Sequence, residues 1–516
     1  MPNQAEDQSA VVEFLGSGAW AGVSPDCVSR IETHGALVFM AGERVCKIKR
    51  AVKFPYMDFS TLEKRRRACE TELRLNRRTA PRLYLSVEPI TRGPDSRLSI
   101  GGAGTPVEWV VLMRRFPQEA LLDRMAEEGR LTRKIVVELA AAIAGFHADA
   151  ERAEDESPYG GGAAVRATLR ASLQELSDRC AWFPPDAVER VRELADVQLG
   201  RSEPVLDGRK RAGFVRQCHG DLHLGNVCLL DGRPTLFDAI EFNEALSWVD
   251  VLHDVAFLLM DLDHRGLRAF AVLVLTHYAV ETDDLDGLGV LPLFLADRAL
   301  VRAKVKAATA DAIGDGARLD ALRCEAQDYF EAAQAYLTPP PPRLVAVGGL
   351  SGTGKSTLAA RIAPHVGPAP GAVHLRSDVI RKRLAGVPES QRLDESFYSP
   401  DATRAVYERM IAMAGRVLAA GHAVVLDAVF ARADERDAVQ QLAADLGVSF
   451  RGLWLEAPLE VMADRVERRT GDASDATAEI VRRQSGYELG RLDWHKVPAE
   501  GSPEIVEAAA GRALDG

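Results

Sequence analysis

Short apolar runs of strand length alternate along this chain with longer stretches whose apolar residues recur at helical spacing. Residues 11–34 read as a helix and a loop. The runs ALVFM and VCKI then flank Ala41-Gly42-Glu43 and predict a hairpin. Phe59–Arg78 is charged and helix-prone, with Ser60 as its cap, Glu63 completing a capping box and Pro81 closing the segment. Glu108–Phe116, EWVVLMRRF, reads as a buried strand and a short connector. Helical periodicity dominates Leu131–Asp207, punctuated by Gly160-Gly161-Gly162. His219–Phe242, HGDLHLGNVCLLDGRPTLFDAIEF, reads as a loop, a strand, a tight turn and a second strand. Helices follow to about Leu337.

Thr338 and the four prolines after it cannot continue a helix and form a short stiff spacer. Beyond it RLVAVGGLSGTGKSTLAARIA reads strand, glycine loop, helix. A strand ends near Leu375 and a helix begins near Asp378, and HAVVLD and FRGLWLEAP are further strands. The pattern predicts separate folds over residues 1–337 and 343–516, joined by a linker at 338–342.

Composition narrows the class. The chain has 516 residues, 47% hydrophobic and 27% charged, which suits two or three globular domains. A net charge of −11 argues against general nucleic-acid binding driven by bulk electrostatics. The seven cysteines are scattered with no CxxC pair, which fits a reducing cytoplasm and neither a disulfide framework nor a structural zinc site. The start, MPNQAEDQSA, has no signal-peptide pattern, and no apolar run reaches membrane-spanning length.

Candidate chemistry gathers first around Asp221. Asp221 and Asn226 bracket four residues and Asp238 follows twelve later, the layout a kinase-like fold uses for its base and two metal ligands. HGDLHLGN, with the later WVDVLHDVAFLL, resembles the aminoglycoside phosphotransferase and small-molecule kinase branch. STLEKRR and LNRRTAPRLYL resemble bacterial proteins in which such an enzyme is fused to a second kinase, and that resemblance covers nearly the whole chain. It implies that Asp221 orients a hydroxyl proton, that Asn226 and Asp238 hold Mg2+, and that Asp254 anchors the loop. Lys47, in the V-x-K form of a small-lobe strand, would grip the ATP phosphates. Val45, Lys47 and Lys49 share one face, and only one of the two lysines is expected deep in the cleft. Glu70 and Glu72 compete as the partner of that lysine; Glu72 is preferred. Backbone near Leu112 and Met113 would bind adenine. No GxGxxG precedes the strand, and His34-Gly35-Ala36 is the one phosphate-cover candidate. Asp261, Asp263, Asp283, Asp284 and Asp286 form an acidic region, read either as a solvated surface or as a face for a polyamine or amino sugar.

The second centre is more specific. Gly349–Ser356 satisfies G-x-x-x-x-G-K-[ST] between a strand and a helix. Gly349, Ser351, Gly352, Thr353, Gly354, Lys355, Ser356 and Thr357 form the nucleotide cradle, with Lys355 on the β/γ oxygens and Ser356 on Mg2+. Arg376, Asp378 and Arg381 form R-x-D-x-x-R, similar to the substrate side of polynucleotide kinases and zeta toxins. There Asp378 would accept a hydroxyl proton and Arg381 hold an anionic group. Asp427 ends a strand in the Walker-B-like position, facing either metal or substrate. Arg465 and Arg469, one turn apart, are the lid arginines.

The expected fold is therefore a two-lobed kinase-like domain followed by a doubly wound parallel-sheet P-loop domain, α/β and α+β. The expected function is transfer of the γ-phosphoryl group of ATP to hydroxyls of small molecules at two centres, with Mg2+. Two alternatives stand beside it. In one the P-loop half acts on a nucleic-acid end or nucleotide sugar; in the other one half is an ATP-binding regulator of its neighbour.

Overall fold

The computed structural model describes residues 6–54, 56–311, 316–468 and 473–515. The chain packs into two compact units, Met1–Ala164 with Leu206–Leu258, and Val165–Val205 with Leu259–Gly516. The spacer at 338–342 lies inside the second of these.

The first unit opens on a helix, Ser9–Gly16, and continues through β1 (Ser29–Glu32), β2 (Ala36–Ala41) and β3 (Arg44–Lys49). A small hairpin, β4 (Lys53–Phe54) and β5 (Met57–Asp58), precedes the helix Leu62–Asn76. Then come β6 (Tyr84–Arg92), β7 (Leu98–Ile100) and β8 (Thr105–Arg114). The six-stranded sheet is ordered β1-β2-β3-β8-β6-β7, with antiparallel neighbours. Alternation along β3 divides its two faces. Cys46 and Ile48 pack with Val11, Leu15 and Phe39, while Val45 joins Met40, Cys69 and Tyr84 on the side of the helix Leu62–Asn76. The helix is capped one residue later than Ser60. Thr61 accepts the Lys64 N–H, because Ser60 Oγ is drawn to Asp58 Oδ1 at 2.6 Å and Glu63 to Arg66 and Arg67.

The Asp221 segment follows β9 (Val215–Gln217) and comprises the antiparallel hairpin of β10 (Val227–Leu230) and β11 (Arg233–Leu236). Asp231 and Gly232 turn it with φ of 50° and 79°, the doubly left-handed turn that matches strand twist. β12 (Trp248–Asp250) returns to pair with β9.

The second unit carries a parallel sheet. β13 (Arg343–Gly349) sits at its centre, with β14 (Val373–Arg376) and β15 (Val424–Asp427) on one side and β16 (Ser449–Glu456) and β17 (His495–Pro498) on the other. All four pairings are parallel, in the order β14-β15-β13-β16-β17. Val345 and Val347 face Leu358 and Ile362 of the helix Lys355–Ile362. The opposite face is glycine where it meets tryptophan: a Cβ on Gly348 would lie 2.9 Å from the Trp454 ring, and one on Gly452 would lie 2.4 Å from Trp494. Trp494 packs edge-on against Phe430, whose ring meets Tyr407. Among the described residues no helix is long and apolar enough to cross a membrane.

Glycine in a strand interior ordinarily weakens it, so Gly452 marks a packing need. Gly452→Val is expected to displace Trp494 and destabilise the chain by about 1–3 kcal/mol. Thermal unfolding followed by tryptophan fluorescence checks this.

Candidate functional sites

The first site is built on a buried cluster of charge. β3 projects Lys47 and Lys49 from one face toward Glu72 on the helix Leu62–Asn76. Glu72 Oε1 lies 2.7 Å from Lys47 Nζ, and Oε2 lies 2.6 Å from Lys49 Nζ. Lys47 also contacts Asp238, and Lys49 contacts Glu241. Side-chain exposure is 0% for Glu72, 2% for Lys49 and 12% for Lys47, against 42% for Asp238. The expectation that only one lysine lies deep is corrected here. A fully enclosed carboxylate has two oxygens to satisfy, and each takes an ammonium. Glu70 points outward to Arg66. Burial alone would push the Glu72 carboxyl up, but the charges of Lys47 and Lys49 outweigh it and bring it down to about 2. Burial works against the Lys47 ammonium, and Asp238 and Glu72 overcome it, holding its pKa well above the usual value.

The loops carrying the other candidates are hydrogen-bonded side by side. Phe237 N–H donates to the Asn226 carbonyl at 3.0 Å and Ile240 N–H to the His219 carbonyl at 3.0 Å. His219 Nε2 donates to the Phe237 carbonyl at 2.9 Å, and burial lowers its pKa, keeping the ring neutral. Asn226 Nδ2 donates to both the carbonyl and Oδ2 of Asp221, each at 2.9 Å. His223 accepts Gly225 N–H at Nδ1, which leaves Nε2–H facing Asp221 Oδ2 at 3.4 Å. Asp254 accepts the N–H groups of His219 and Gly220 at 3.0 and 2.8 Å. Asp238 itself has φ of +62°, a left-handed conformation costing about 1–3 kcal/mol for a non-glycine residue. It is held there by Tyr84 Oη, which accepts its N–H at 3.2 Å, and by Asn76 Oδ1, which accepts Ala239 N–H at 2.9 Å. Met113 lies within β8, opposite Val45 on one side and Tyr84 on the other, with its side chain in the core. His34 and Gly35 form the bend between β1 and β2.

In the second unit β13 ends at Gly349 and the helix starts at Lys355, so Gly354 is its N-cap with φ of +90°. Gly352 has φ of +86°, and a Cβ there would meet the Met462 carbonyl at 2.3 Å. Thr353 Oγ1 donates to the Leu350 carbonyl at 2.8 Å. Ser351 N–H donates to Gln484 Oε1 at 2.8 Å, and Arg465 donates to the Thr353 carbonyl at 3.3 Å. Ser356 is half-buried and Thr357 exposed on the first helical turn. Asp427, at the end of β15, is nearly enclosed; Arg376 Nε and His374 Nε2 lie 3.3 and 3.5 Å from its Oδ2. Burial raises its pKa, but the adjoining His374 and the charges of Arg376 and Lys355 hold it well below the usual carboxylate range.

Asp378 is half-buried in the first turn of the helix Ser377–Leu384. Arg381, 7% exposed, donates to the Phe397 carbonyl at 2.6 Å and lies 4.8 Å over the Tyr398 ring. Its buried Nε has no hydrogen-bond partner among the described residues. The neighbouring Lys382 is buried against Asp475 at 2.7 Å, and Asp475 also accepts Tyr398 Oη–H at 2.6 Å and Leu393 N–H at 3.0 Å. Arg465 lies on the helix Leu459–Glu467; Arg469 lies outside the described residues. The acidic region is largely spoken for: Asp261 holds Arg265, Asp263 holds Tyr336 and Arg268, and Asp284 is buried.

Sequence reasoning gave no role to Lys49, Glu241, His223, Tyr84, His374, Lys382, Asp475 or Gln484. Lys49 entered only as the rival of Lys47, and His223, Glu241 and Tyr84 stood unremarked inside stretches already singled out; the others are brought in by tertiary packing.

Residues 21–290 match the model of the phosphotransferase enzyme family, and residues 344–487 match that of the AAA domain. An uncharacterized protein of Mycobacterium tuberculosis is 33% identical over 482 residues, 92% of this chain and 92% of the relative. A cytidylate kinase of Methanopyrus kandleri is 32% identical over 150 residues, 27% of this chain and 70% of that protein. Among solved structures, a choline/ethanolamine kinase family protein from Mesorhizobium loti is similar at 15% identity and a TM-score of 0.38, covering 64% of this chain and 99% of that one. The chain belongs to the phosphotransferase enzyme family. It is a phosphotransferase with two domains of kinase type, and domains of this type bind a nucleotide.

Two predictions follow the charge clusters. Because Glu72 ionises more readily in the folded chain than its ordinary value of 4.5, its contribution to stability is complete above that pH and is lost as pH falls toward about 2. Urea midpoints measured across this window are expected to fall more steeply in the unaltered chain than in Glu72→Gln. Asp475→Ala strands the Lys382 ammonium and is expected to cost about 3–5 kcal/mol, read as a lower denaturation midpoint of the second unit.

Proposed function

We propose that the chain transfers the γ-phosphoryl group of ATP to hydroxyl groups at two separate centres, one in residues 1–337 and one in 343–516, with the 338–342 segment as linker. The observation that carries the first centre is the joining of the Lys47–Glu72–Asp238 cluster to the Asp221–Asn226 loop through the hydrogen bonds of His219 and Phe237. Phosphoryl transfer asks mainly for positioning and charge neutralisation. Lys47 is the cation for the phosphates, kept in place by Glu72. Asp221, oriented by Asn226 and His223, takes the proton of the acceptor hydroxyl. That oxygen bonds to the γ-phosphorus as the bond to the bridging oxygen breaks and ADP leaves. Asn226 and Asp238 offer the hard oxygens that suit Mg2+, as do Ser356 and Asp427 at the other centre. Mg2+, when bound, draws charge from the transferring phosphate oxygens.

At the second centre the glycine loop leads into the N-terminus of the helix Lys355–Ile362, with the charge of Lys355 acting on Asp427. Asp378 positions the acceptor hydroxyl, and Arg465 supplies late charge with Arg469. Arg381, with its unpartnered Nε, favours an acceptor bearing an anionic group, and the likeness to a cytidylate kinase supports a nucleotide-like one. The first acceptor is a small-molecule alcohol. The free cysteines support a cytoplasmic setting.

The full chain, incubated with ATP and a metabolite extract, is expected to yield products heavier by one phosphoryl group. Asp221→Asn is expected to slow one set by roughly 10²–10⁴-fold, and Lys355→Ala to abolish another. Unchanged products in both variants would overturn the reading.

A further inference from the structure

The acidic stretch after residue 280 has a use that the two centres do not explain. Within the second unit, the helix Arg268–Thr282 lies against β14 and the segment before it. Val272 is a member of the same buried cluster as Val345, Leu358 and Val425, so a side chain N-terminal to the proline spacer completes the core of the parallel sheet. Gly371, with φ of +135°, allows the approach: a Cβ there would meet Val272 at 2.8 Å. Gly289 likewise lies against Ala420, whose carbonyl would be 2.7 Å from an added Cβ.

β14 is the edge strand of its sheet, and edges left open are templates for unwanted pairing. Here Thr276 Oγ1 accepts the His374 N–H at 3.1 Å. At the end of the helix and in the turn after it stands a set of opposite charges. Arg416, on the helix Pro400–Ala419, meets Asp283 at 2.8 Å and Asp286 at 2.7 Å; Arg409 meets Asp283 at 2.9 Å, and Arg383 meets Glu281 at 2.7 Å.

We propose that the helix Arg268–Thr282 and the acidic turn after it are a built-in docking face for the P-loop half, which is seated on them independently of the covalent spacer. The seat reaches the P-loop centre, because the strand it covers carries His374 and Arg376, the two residues that hold Asp427. Thr276 is thereby a positioning residue, acting on Asp427 through β14.

A specific protease site placed in the Pro339–Pro342 spacer of the full chain tests this by particle size, a readout independent of phosphoryl transfer. After cleavage the unaltered chain is expected to elute as one particle of full mass at physiological salt. Arg409→Glu with Arg416→Glu sets like charges against Asp283 and Asp286, and the cleaved variant is expected to separate. Adding Asp283→Arg and Asp286→Arg is expected to restore a single particle. Separation of the cleaved unaltered chain, or co-elution of the cleaved double-glutamate variant, overturns the proposal. Thr276→Val, in the uncleaved chain, is expected to speed hydrogen exchange at the His374 amide by tenfold or more; unchanged exchange there overturns the link to β14.

Discussion

A carboxylate with no exposure to solvent and two ammonium groups against it is the constraint on which the first unit rests. Removing any of the three from Glu72, Lys47 and Lys49 would leave a buried charge without its partner, far costlier than losing an exposed pair. The cluster therefore fixes the distance between β3 and the helix Leu62–Asn76. It also reaches forward, because Asp238 and Glu241 are drawn to the same two lysines. Once residues 237–241 are placed, the backbone hydrogen bonds of Phe237 and Ile240 to Asn226 and His219 place the Asp221 loop as well. Asp254 completes the chain of dependence from below by taking two loop amides on one carboxylate.

The second unit obtains the same fixity from close approach. Gly352 admits the Met462 carbonyl, and Gly452 admits the Trp494 ring, to distances a Cβ would forbid. The glycine loop is tied at Ser351 by Gln484, while Asp475 gathers Lys382, Tyr398 and Leu393. The segment from Asp475 to Gln484 thus links Lys382, Tyr398 and Leu393 to the glycine loop, and neither can move far without the other.

Motif spacing made the site loops legible because their chemistry is local: HGDLHLGN and GLSGTGKS each set a backbone path as well as a side-chain list. Strand and helix placement followed from period, and the parallel sheet from its run of short apolar strands. Depth was not legible. Alternation along β3 assigned Lys47 and Lys49 to one face, but how far each is buried depends on Glu72 and Glu241, distant in sequence. Helix capping was misjudged by one residue because Asp58, outside the capping pattern, competes for Ser60. Asp283 and Asp286 read as solvated surface because the arginines that neutralise them lie more than a hundred residues away.

The two contacts of Lys47 are unequal in a way that bears on how a nucleotide enters. Glu72 is wholly enclosed, so water cannot replace the ammonium if that pair opens, and the pair behaves as a permanent strut. The Asp238 side chain is 42% exposed, so its contact with Lys47 exchanges readily for water, a cation or a phosphate oxygen. The same inequality holds at the glycine loop. Arg465 makes a long 3.3 Å hydrogen bond to the Thr353 carbonyl, a weak contact that an anionic oxygen outcompetes through a charge-assisted bond, whereas Ser351 is held by Gln484 in a buried one. On the proposed reading, the enclosed contact at each centre sets the geometry and the less enclosed one gives way to substrate.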